Sequence, residues 1–245
     1  MLDIIKKNFS NLVKSSGGVL YLDARKSTGS GLPTNSPLTT PWKDLSGRGN
    51  NATPTNFAGT TASGVDVSAP IKPFWVLDGT DDFFSLVNTA SIDITAAPLA
   101  IFATFLVSPD SGINGYLCAK TLDNTTPTVQ YGLSYNKSNQ RIQVILEGVI
   151  RNTTLTNSIL ANTWYNAGFI WNGVDVRCYI NNSISSSASA FTGSLTTKVN
   201  ISIGRRMGDY FEGNLATLTI YTGAKAAEAN ILKAEKAISK VYIGG

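Results

Sequence analysis

The sequence predicts an all-β fold, an antiparallel two-sheet sandwich with a short helix at each end. Short runs of alternating apolar residues recur along the chain, as half-buried strands require. Charged residues make up only 15%, while the Ser, Thr, Asn and Gly that suit turns and exposed strand faces are abundant. With 245 residues and 42% hydrophobic content the chain can bury one substantial core, so we expect a single sandwich domain.

The clearest local signal is a hairpin over residues 162–182, which read NTWYNAGFIWNGVDVRCYINN. Alternation places four apolar residues on one face of each arm, and these are Tyr165, Ala167, Phe169 and Trp171, then Val174, Val176, Cys178 and Ile180. Asn172-Gly173 separates the two runs, and this dipeptide favours a two-residue type I′ turn because both residues tolerate positive φ. We predict a hairpin with its turn at Asn172-Gly173 and its apolar face in the core.

This hairpin resembles the signature hairpin of laminin-G-like, concanavalin A-like jelly-roll domains. Other segments resemble landmarks of that family in the same order, namely Asp44–Gly47 with Gly49–Ala52, Leu77–Phe84, Ile203–Arg205, and Gly213–Ala216 with Ile220-Tyr221. The resemblance spans Val19 to Ile238. It implies an antiparallel two-sheet jelly-roll sandwich of the concanavalin A-like lectin/glucanase type, and it implies little about the ligand because one fold serves many functions.

An amphipathic helix precedes the sandwich. Five apolar residues recur at three- and four-residue spacing in residues 2–14, and these are Leu2, Ile5, Phe9, Leu12 and Val13. The apolar stripe must cover the sandwich, contact a partner subunit or lie on a membrane, and we favour these in that order. We assign residues 1–17 to this helix as a candidate attachment segment and 18–245 to the jelly-roll domain.

Residues 99–107 are apolar on both faces, which predicts a central strand between two covering layers. The chain closes with a predicted helix from Ala224 to about Ser239, which could cap the sheet together with the N-terminal helix. Residues 24–41 are rich in Ser, Thr, Gly, Asn and Pro and lack periodicity, and residues 53–72 repeat this composition around a weak predicted strand at residues 65–67. Long irregular segments often carry recognition, so we predict that any binding loops lie there.

Three clustered carboxylates, Asp78, Asp81 and Asp82, fall in a predicted turn. Such a cluster could bind calcium. Turn chemistry, in which Asp side chains accept bonds from backbone amides, explains the residues better, because no further acidic partner stands at a recognised spacing. We therefore predict no metal site and no cofactor.

The residues that most enzymes need are scarce. The chain has no histidine, which excludes Ser-His-Asp and Cys-His catalysis and His-ligated zinc. Its four glutamates, at positions 147, 212, 228 and 235, do not form the Glu-x-Asp-x-Glu pattern of glucanases with a related fold. Both cysteines, Cys118 and Cys178, are expected to be buried free thiols. We predict a protein without catalytic residues, and a glycosidase with carboxylates from different strands is a remote alternative.

Charge and hydropathy argue against two partner classes. The formal net charge is +4, but the basic residues are scattered apart from Lys6-Lys7 and Arg205-Arg206, so no stripe tracks phosphates and we expect no nucleic acid. No apolar run reaches the ~18 residues of a membrane span, and the N-terminus lacks the apolar core of a secretory signal. We expect synthesis in a host cytoplasm.

Two non-catalytic functions remain. Laminin-G-like domains of this plain type resemble those of tailed-bacteriophage structural proteins, which implies a virion protein, in a capsid decoration, head fibre or tail, whose partners are other virion proteins or copies of itself. The alternative is a carbohydrate-binding module that recognises host-surface or environmental glycans. Exposed aromatic rings stack on sugars, and the candidates are Trp42, Tyr116, Tyr131, Tyr135 and Tyr210. For each ring, an ordinary position within the sheet is the alternative. We favour the virion role.

Overall fold

The structure is a computed structural model that describes residues 2–26, 40–57, 63–66, 72–109, 114–121, 128–198 and 200–243. Of the segments predicted to carry recognition loops, residues 27–39, 58–62 and 67–71 lie outside the described residues.

Within the described residues the fold has two α-helices, eighteen strands and a short 3-10 helix, Ala24–Lys26. They are α1 Leu2–Ser15, β1 Gly18–Asp23, β2 Ala52–Thr55, β3 Gly64–Asp66, β4 Phe74–Asp78, β5 Phe83–Leu86, β6 Leu99–Val107, β7 Gly115–Thr121, β8 Val129–Asn136, β9 Arg141–Leu146, β10 Val149–Thr153, β11 Trp164–Trp171, β12 Asp175–Ile180, β13 Ser183–Ile184, β14 Ser189–Ala190, β15 Asn200–Ile203, β16 Arg205–Arg206, β17 Asp209–Tyr210, β18 Glu212–Thr222 and α2 Glu228–Ile243.

The strands form two large antiparallel sheets packed face to face. The nine-stranded sheet has the order β13-β12-β11-β6-β18-β4-β3, with β1 also paired to β18 and β14 to β12. The seven-stranded sheet has the order β10-β9-β8-β7-β15-β5-β2, and β16 and β17 form a separate small hairpin. Consecutive strands β4 and β5 belong to different sheets, so the turn between them carries the chain across the sandwich. The predicted two-sheet fold is confirmed.

The central strand β6 is buried on both faces, as its composition predicted. Its odd-numbered residues, from Leu99 to Val107, join the cluster between the two sheets. Ala100 and Phe102 join a second cluster on the outer face of the nine-stranded sheet, which residues from the helices complete. The protein therefore has three layers, with helices outside one sheet.

The N-terminal helix α1 packs on the sandwich of its own chain. Val13 is fully buried in the outer cluster, and Phe9 and Leu12 are half-buried against it. Three of the five residues predicted as an assembly contact are therefore largely occupied within the chain, because the outer face of the sheet offers them an apolar surface. The side chains of Leu2 and Ile5 lie outside the described residues.

The C-terminal helix α2 covers the same face beside α1. Ile231, Ala234 and Ile238 are buried in the outer cluster, as predicted. The helix begins at Glu228 rather than Ala224 because Gly223 adopts a positive φ of 79° in a turn, and its carbonyl accepts the amide of Ala226 at 2.9 Å. None of the described helices is long and apolar enough to cross a membrane.

A buried polar network joins α2 to the sheet. Glu235 is fully buried and accepts hydrogen bonds from Thr219 Oγ1 at 2.6 Å, Tyr221 OH at 2.5 Å and Asn166 Nδ2 at 2.9 Å. Burial raises the pKa of Glu235, and the three hydrogen bonds oppose that rise. The network gives the helix directional contacts with β11 and β18.

The predicted hairpin forms with a different turn. Trp171 pairs with Val176, and the Asn172 amide donates to the Asp175 carbonyl at 3.2 Å, so Gly173 and Val174 lie at the centre of the turn. Gly173 has a φ of 97°, and Asn172 Oδ1 accepts the amides of Val174 and Asp175, each at 2.8 Å. The Asn side chain thus caps the turn, whereas the prediction had Asn172 and Gly173 both at its centre. Val174, predicted on the core face, is 63% exposed.

Both cysteines are buried free thiols, as predicted. Burial raises the pKa of each thiol, Cys118 and Cys178, to about 12. They are small apolar members of the core at neutral pH.

Candidate functional site

Three of the five predicted sugar-stacking residues are core residues. Trp42 is fully buried, with its ring 5.2 Å from that of Phe84. Tyr131 is also fully buried and donates its hydroxyl to the Ile92 carbonyl at 2.7 Å, and Tyr135 is 3% exposed. These rings present no face to a ligand, because all three belong to the cluster between the sheets, Tyr131 and Tyr135 through the alternation of β8 and Trp42 beside its bridge to Ala52. The prediction for these three residues is wrong in this structure.

The other two, Tyr116 and Tyr210, are half-buried, and the Tyr210 backbone lies against Gly115 at the start of β7. The small hairpin β16–β17 packs against β7, which brings Tyr210 close to the start of that strand. We call the surrounding residues the rim cluster, and they are Phe83, Tyr116, Arg205, Arg206, Asp209 and Tyr210.

Two guanidinium groups organise the rim cluster. The Arg205 guanidinium carbon lies 4.0 Å from the centroid of the Phe83 ring and 5.8 Å from that of Tyr210. The Arg206 guanidinium carbon lies 5.3 Å from the centroid of the Tyr116 ring. Cation–π contacts of this kind hold the planar guanidinium groups in place. The aromatic rings therefore support arginines instead of offering bare faces.

Hairpin register sets which residues face which way. Arg205 pairs with Tyr210, and Arg206 pairs with Asp209, so the two pairs lie on opposite faces of the hairpin. Arg206 Nη1 is 3.7 Å from Asp209 Oδ2. One face of the hairpin thus carries the Arg205 guanidinium with Tyr210, and the other carries the Arg206 guanidinium with the carboxylate of Asp209 beside Tyr116.

Electrostatics keep Tyr116 protonated. Burial raises the pKa of the Tyr116 phenol, while nearby Arg206 lowers it and Asp209 raises it by a smaller amount. At neutral pH the hydroxyl is neutral, so it can donate a hydrogen bond as well as accept one.

The acidic turn lies next to the rim cluster. A methyl group at Gly204 would stand 3.5 Å from the Asp82 carbonyl oxygen, so the chain beside Arg205 touches this turn. Asp78 Oδ1 accepts the Thr80 amide at 2.8 Å, and Asp82 Oδ2 accepts the Asp78 amide at 3.1 Å. These are the turn hydrogen bonds that the sequence indicated.

One carboxylate of this turn has a perturbed acidity. Burial, together with the charge of Asp78, raises the pKa of Asp82 to about 7, although the Asp78 amide opposes the rise. One oxygen from each of Asp78, Asp81 and Asp82 lies within 4.8 Å of the others, a separation compatible with one cation. The hydrogen bonds already described account for the turn without a cation.

The glutamates have separate structural roles. Glu235 is buried under α2, and Glu228 Oε1 accepts the Tyr179 hydroxyl at 2.7 Å. Both carboxylate oxygens of Glu147 accept bonds from Thr196, at 2.6 Å from its amide and 2.9 Å from its hydroxyl. Glycoside hydrolysis needs two carboxyl groups facing one cleft, and these three are committed elsewhere.

Sequence reasoning missed Phe83, Asp209 and the two arginines as partners of Tyr116 and Tyr210. Arg205-Arg206 stood out only as a basic pair. The signal that was available is the short polar hairpin itself, in which Met207-Gly208 separates Arg206 from Asp209. Its position beside Tyr116 depends on sheet order, which the sequence does not display.

Comparisons with known proteins agree with the architecture. The family model described as the concanavalin A-like lectin/glucanases superfamily matches residues 78–229, well over half of the chain. A search of curated proteins found no match.

Similar solved structures come from three settings. Trypanosoma rangeli sialidase matches with a TM-score of 0.59 and 13% identity over 94% of this chain and 34% of its own. Domain 4 of AbnA, a GH43 extracellular arabinanase from Geobacillus stearothermophilus, in complex with arabinotriose, matches with a TM-score of 0.57 and 14% identity over 89% of this chain and 98% of its own.

The ligand binding domain of botulinum neurotoxin serotype D, in complex with N-acetylneuraminic acid, matches with a TM-score of 0.60 and 14% identity over 91% of this chain and 51% of its own. The chain spans 34% of the length of the sialidase it matches. At identities of 13 to 14% these similarities concern the fold alone. Fold, sheet order and the family match together place this chain in the concanavalin A-like lectin/glucanases superfamily.

Proposed function

We propose that the protein is a non-catalytic glycan-binding module and that the rim cluster is its binding surface. The observation that carries the proposal is the set of fixed guanidinium and phenol donors on a lectin-like sandwich. Two similar structures, an arabinanase domain with arabinotriose and a neurotoxin domain with N-acetylneuraminic acid, support a sugar as the class of ligand.

The chemistry of the rim cluster suits a sugar. Adjacent sugar hydroxyls and sugar carboxylates accept paired hydrogen bonds, which a planar guanidinium donates in a fixed geometry. The contacts of Arg205 with Phe83 and of Arg206 with Tyr116 hold these donors, so less side-chain entropy is lost on binding. Asp209 supplies an acceptor for sugar hydroxyl protons.

The absence of catalysis is part of the proposal. It is supported by the lack of histidine in the chain and by the structural roles of Glu147, Glu228 and Glu235. With these three groups committed, an acid and a nucleophile facing one cleft would have to come from Glu212 and the aspartates, and the acidic turn beside Glu212 is held by its own amides.

A glycan array tests the proposal. We expect the wild-type protein to bind a defined set of glycans, and we expect Arg206→Gln to weaken that binding by about tenfold because a charge-assisted donor is lost. Tyr116→Phe with Tyr210→Phe removes both phenol hydroxyls, keeps the ring contacts and should weaken binding less. Isothermal titration with an array hit gives the dissociation constants.

Arg177→Gln is the matched control. Arg177 also pairs with an aspartate on its own sheet, Asp175 at 3.3 Å, but lies outside the rim cluster. An array without hits, or equal binding by the Arg206 and Arg177 variants at unchanged melting temperature, would contradict the proposal.

A second candidate is the virion role predicted from the sequence, as a capsid decoration, head fibre or tail component of a bacteriophage made in the host cytoplasm. An exposed apolar edge favours it. β10 is an outer strand of the seven-stranded sheet, where Val149 and Ile150 are 49% and 52% exposed. Leu155 and Ile184, 68% and 57% exposed, lie nearby because the Leu155 amide bonds the Ser185 carbonyl. An outer strand with exposed apolar residues suits contact with another subunit.

The neighbouring genes test this second candidate. We expect the gene for this chain to lie among capsid or tail genes, and we expect Ile150→Lys with Leu155→Lys to prevent incorporation into particles while leaving the melting temperature unchanged. A genomic setting without structural phage genes would exclude the virion role and leave the glycan-binding role standing.

A further inference from the structure

A polar cavity lies where α1 meets the loop over residues 44–50. Its volume is about 360 Å³, and Lys14, Gly18, Ser46, Gly47 and Arg48 line it. The residues come from the last turn of α1, the start of β1 and the loop. The cavity shares no residue with the rim cluster, and it precedes residue 78, where the family match begins.

The cavity is positively charged. Lys14 and Arg48 are both exposed, and among the described residues no carboxylate forms an ion pair with either side chain. The carboxylate in the same loop, Asp44, is 6% exposed. The positive charges of Lys14 and Arg48 repel each other, and an anion bound between them would offset that repulsion.

Asp44 is committed to building the loop. Its Oδ1 accepts the amides of Tyr21 and Ser46, at 3.0 Å and 2.8 Å. Its Oδ2 accepts the Ser46 hydroxyl at 2.8 Å and the Asn50 amide at 3.0 Å. Three hydrogen bonds from the loop and one from β1 hold the cavity wall in one conformation and commit the Asp44 carboxylate to these donors instead of to Lys14 or Arg48.

The glycines of the loop bring the lysine close to backbone. Gly47 has a φ of 85°, and a methyl group there would stand 3.3 Å from Lys14 Nζ. The Arg48 amide donates to Ser46 Oγ at 3.2 Å. Within the described residues, the amides of Gly47 and Gly49 donate to no protein acceptor. Uncommitted amides beside two cations are the groups that bind oxyanions.

We propose that this cavity binds an oxyanion, namely a phosphate, sulfate or carboxylate group, between Lys14 and Arg48. The cavity can hold more than the anionic group itself, so the ligand is either the free ion or an acidic sugar that carries the group. Only the acidic-sugar form rests on the proposed glycan-binding function. The site needs α1, which gives that helix a role beyond covering the sheet.

Titration of the full chain with inorganic phosphate tests the site. We expect saturable shifts of the Gly47 and Gly49 amide resonances at low ionic strength, which weaken at high sodium chloride. Lys14→Gln with Arg48→Gln should weaken phosphate binding by about tenfold or more, since two charged donors are lost. The control is Lys43→Gln with Lys236→Gln, which removes the same charge from two exposed lysines outside the cavity. Melting temperatures verify that both variants fold.

Two sugars distinguish the sources of the anion. If methyl glucuronide binds more tightly than inorganic phosphate while neutral methyl glucoside leaves the Gly47 and Gly49 resonances unmoved, the site takes an acidic sugar. If phosphate binds at least as well as the glucuronide, the site takes the free ion. Equal phosphate binding by the two double variants, or no saturable shift in wild type, overturns the proposal. Arg206→Gln should leave phosphate binding unchanged, so failure at the rim cluster is separable from failure here.

Discussion

The two faces of the nine-stranded sheet are buried by different chemistry, and β18 shows the contrast within one strand. Toward the second sheet it contributes Leu218 and Ile220 to the inter-sheet cluster. Toward the helices it presents Thr217, Thr219 and Tyr221, whose hydroxyls bond Thr104 Oγ1 at 2.8 Å and Glu235 at 2.6 Å and 2.5 Å. The face toward the second sheet is therefore held by apolar packing, whereas the face toward the helices is held by apolar packing and by directional hydrogen bonds.

The difference explains how a helix layer is held in register on a sheet. Apolar burial is non-directional, and several placements of α2 would bury Ile231 and Ile238 about equally well. The hydrogen bonds of Glu235 to Thr219, Tyr221 and Asn166 are satisfied together in one placement. The inter-sheet core should thus dominate stability, and the outer network should specify position.

The largest expected effect is in the inter-sheet core. Trp171 is 1% exposed, packs on Phe191 at 5.0 Å and donates Nε1 to the Phe191 carbonyl at 2.7 Å. We expect Trp171→Ala to lower the free energy of unfolding by about 3 to 5 kcal/mol, measured by urea denaturation. A fully stable variant that had lost only ligand binding would show that Trp171 belongs to a site.

The outer network comes next. Glu235→Ala leaves the donors of Thr219, Tyr221 and Asn166 without their acceptor, and removal of the buried charge offsets part of that cost. We expect a loss of about 2 to 3 kcal/mol in the free energy of unfolding. If Glu235→Ala unfolds at the same urea concentration as wild type, the network does not hold α2 in place.

The pH dependence of stability distinguishes the effect of the Glu235 charge from that of its hydrogen bonds. Its folded pKa is raised above the ordinary 4.5, so the folded state holds the proton more tightly and the wild type loses stability as pH rises above 4.5. Glu235→Gln does not titrate. We expect the difference in melting temperature, wild type minus Gln variant, to fall with rising pH. A difference that grew with pH would mean that the carboxylate is stabilised as an anion.

The hairpin gives a smaller, matched comparison. Val176 is fully buried opposite Trp171, whereas Val174 is 63% exposed in the turn. We expect Val176→Ala to cost about 2 kcal/mol in unfolding free energy and Val174→Ala less than about 0.5 kcal/mol. If the two variants lost the same unfolding free energy in the same denaturant series, Val174 would be buried like Val176, as the predicted two-residue Asn172-Gly173 turn requires.

The acidic turn gives a comparison that depends on pH, because there a buried carboxylate faces another carboxylate instead of three donors. The pKa of Asp82 is raised to about 7, so its protonated form favours folding, and that stabilisation disappears as pH rises through 7. We expect the stability of Asp82→Asn relative to wild type to increase from pH 4 to pH 8. Melting curves at both pH values in the presence of a chelator measure this change, and a relative stability that decreased with rising pH would show that the anion is the favoured form.

The sheets could be predicted because strand faces depend on a simple period. The predicted Asn172-Gly173 turn would pair Trp171 with Val174, whereas Trp171 pairs with Val176, two residues further along the chain. An even shift leaves the paired strand residues on their predicted faces, so Phe169 and Cys178 both lie in the core, whereas Val174 falls in the turn and is exposed. β6 was recognised as central for the same reason, since both of its faces are apolar.

Burial and long-range neighbours were harder to predict. An isolated aromatic residue has no period, so Trp42, Tyr131 and Tyr135 looked as available to a sugar as Tyr116. The rim cluster unites segments that meet only because the chain crosses between sheets at residues 78–82 and returns in a small hairpin. For α1, the amphipathic pattern indicates that the apolar stripe is covered by some surface, but it does not indicate which one.

The contact between α1 and α2 also fixes a direction for attachment. The first and last described helices touch each other on one side of the protein, outside the nine-stranded sheet. Any segment joined ahead of α1 or behind α2 would leave from this common side. A larger assembly attached through such segments would contact the helical layer, and the seven-stranded sheet would face away from it.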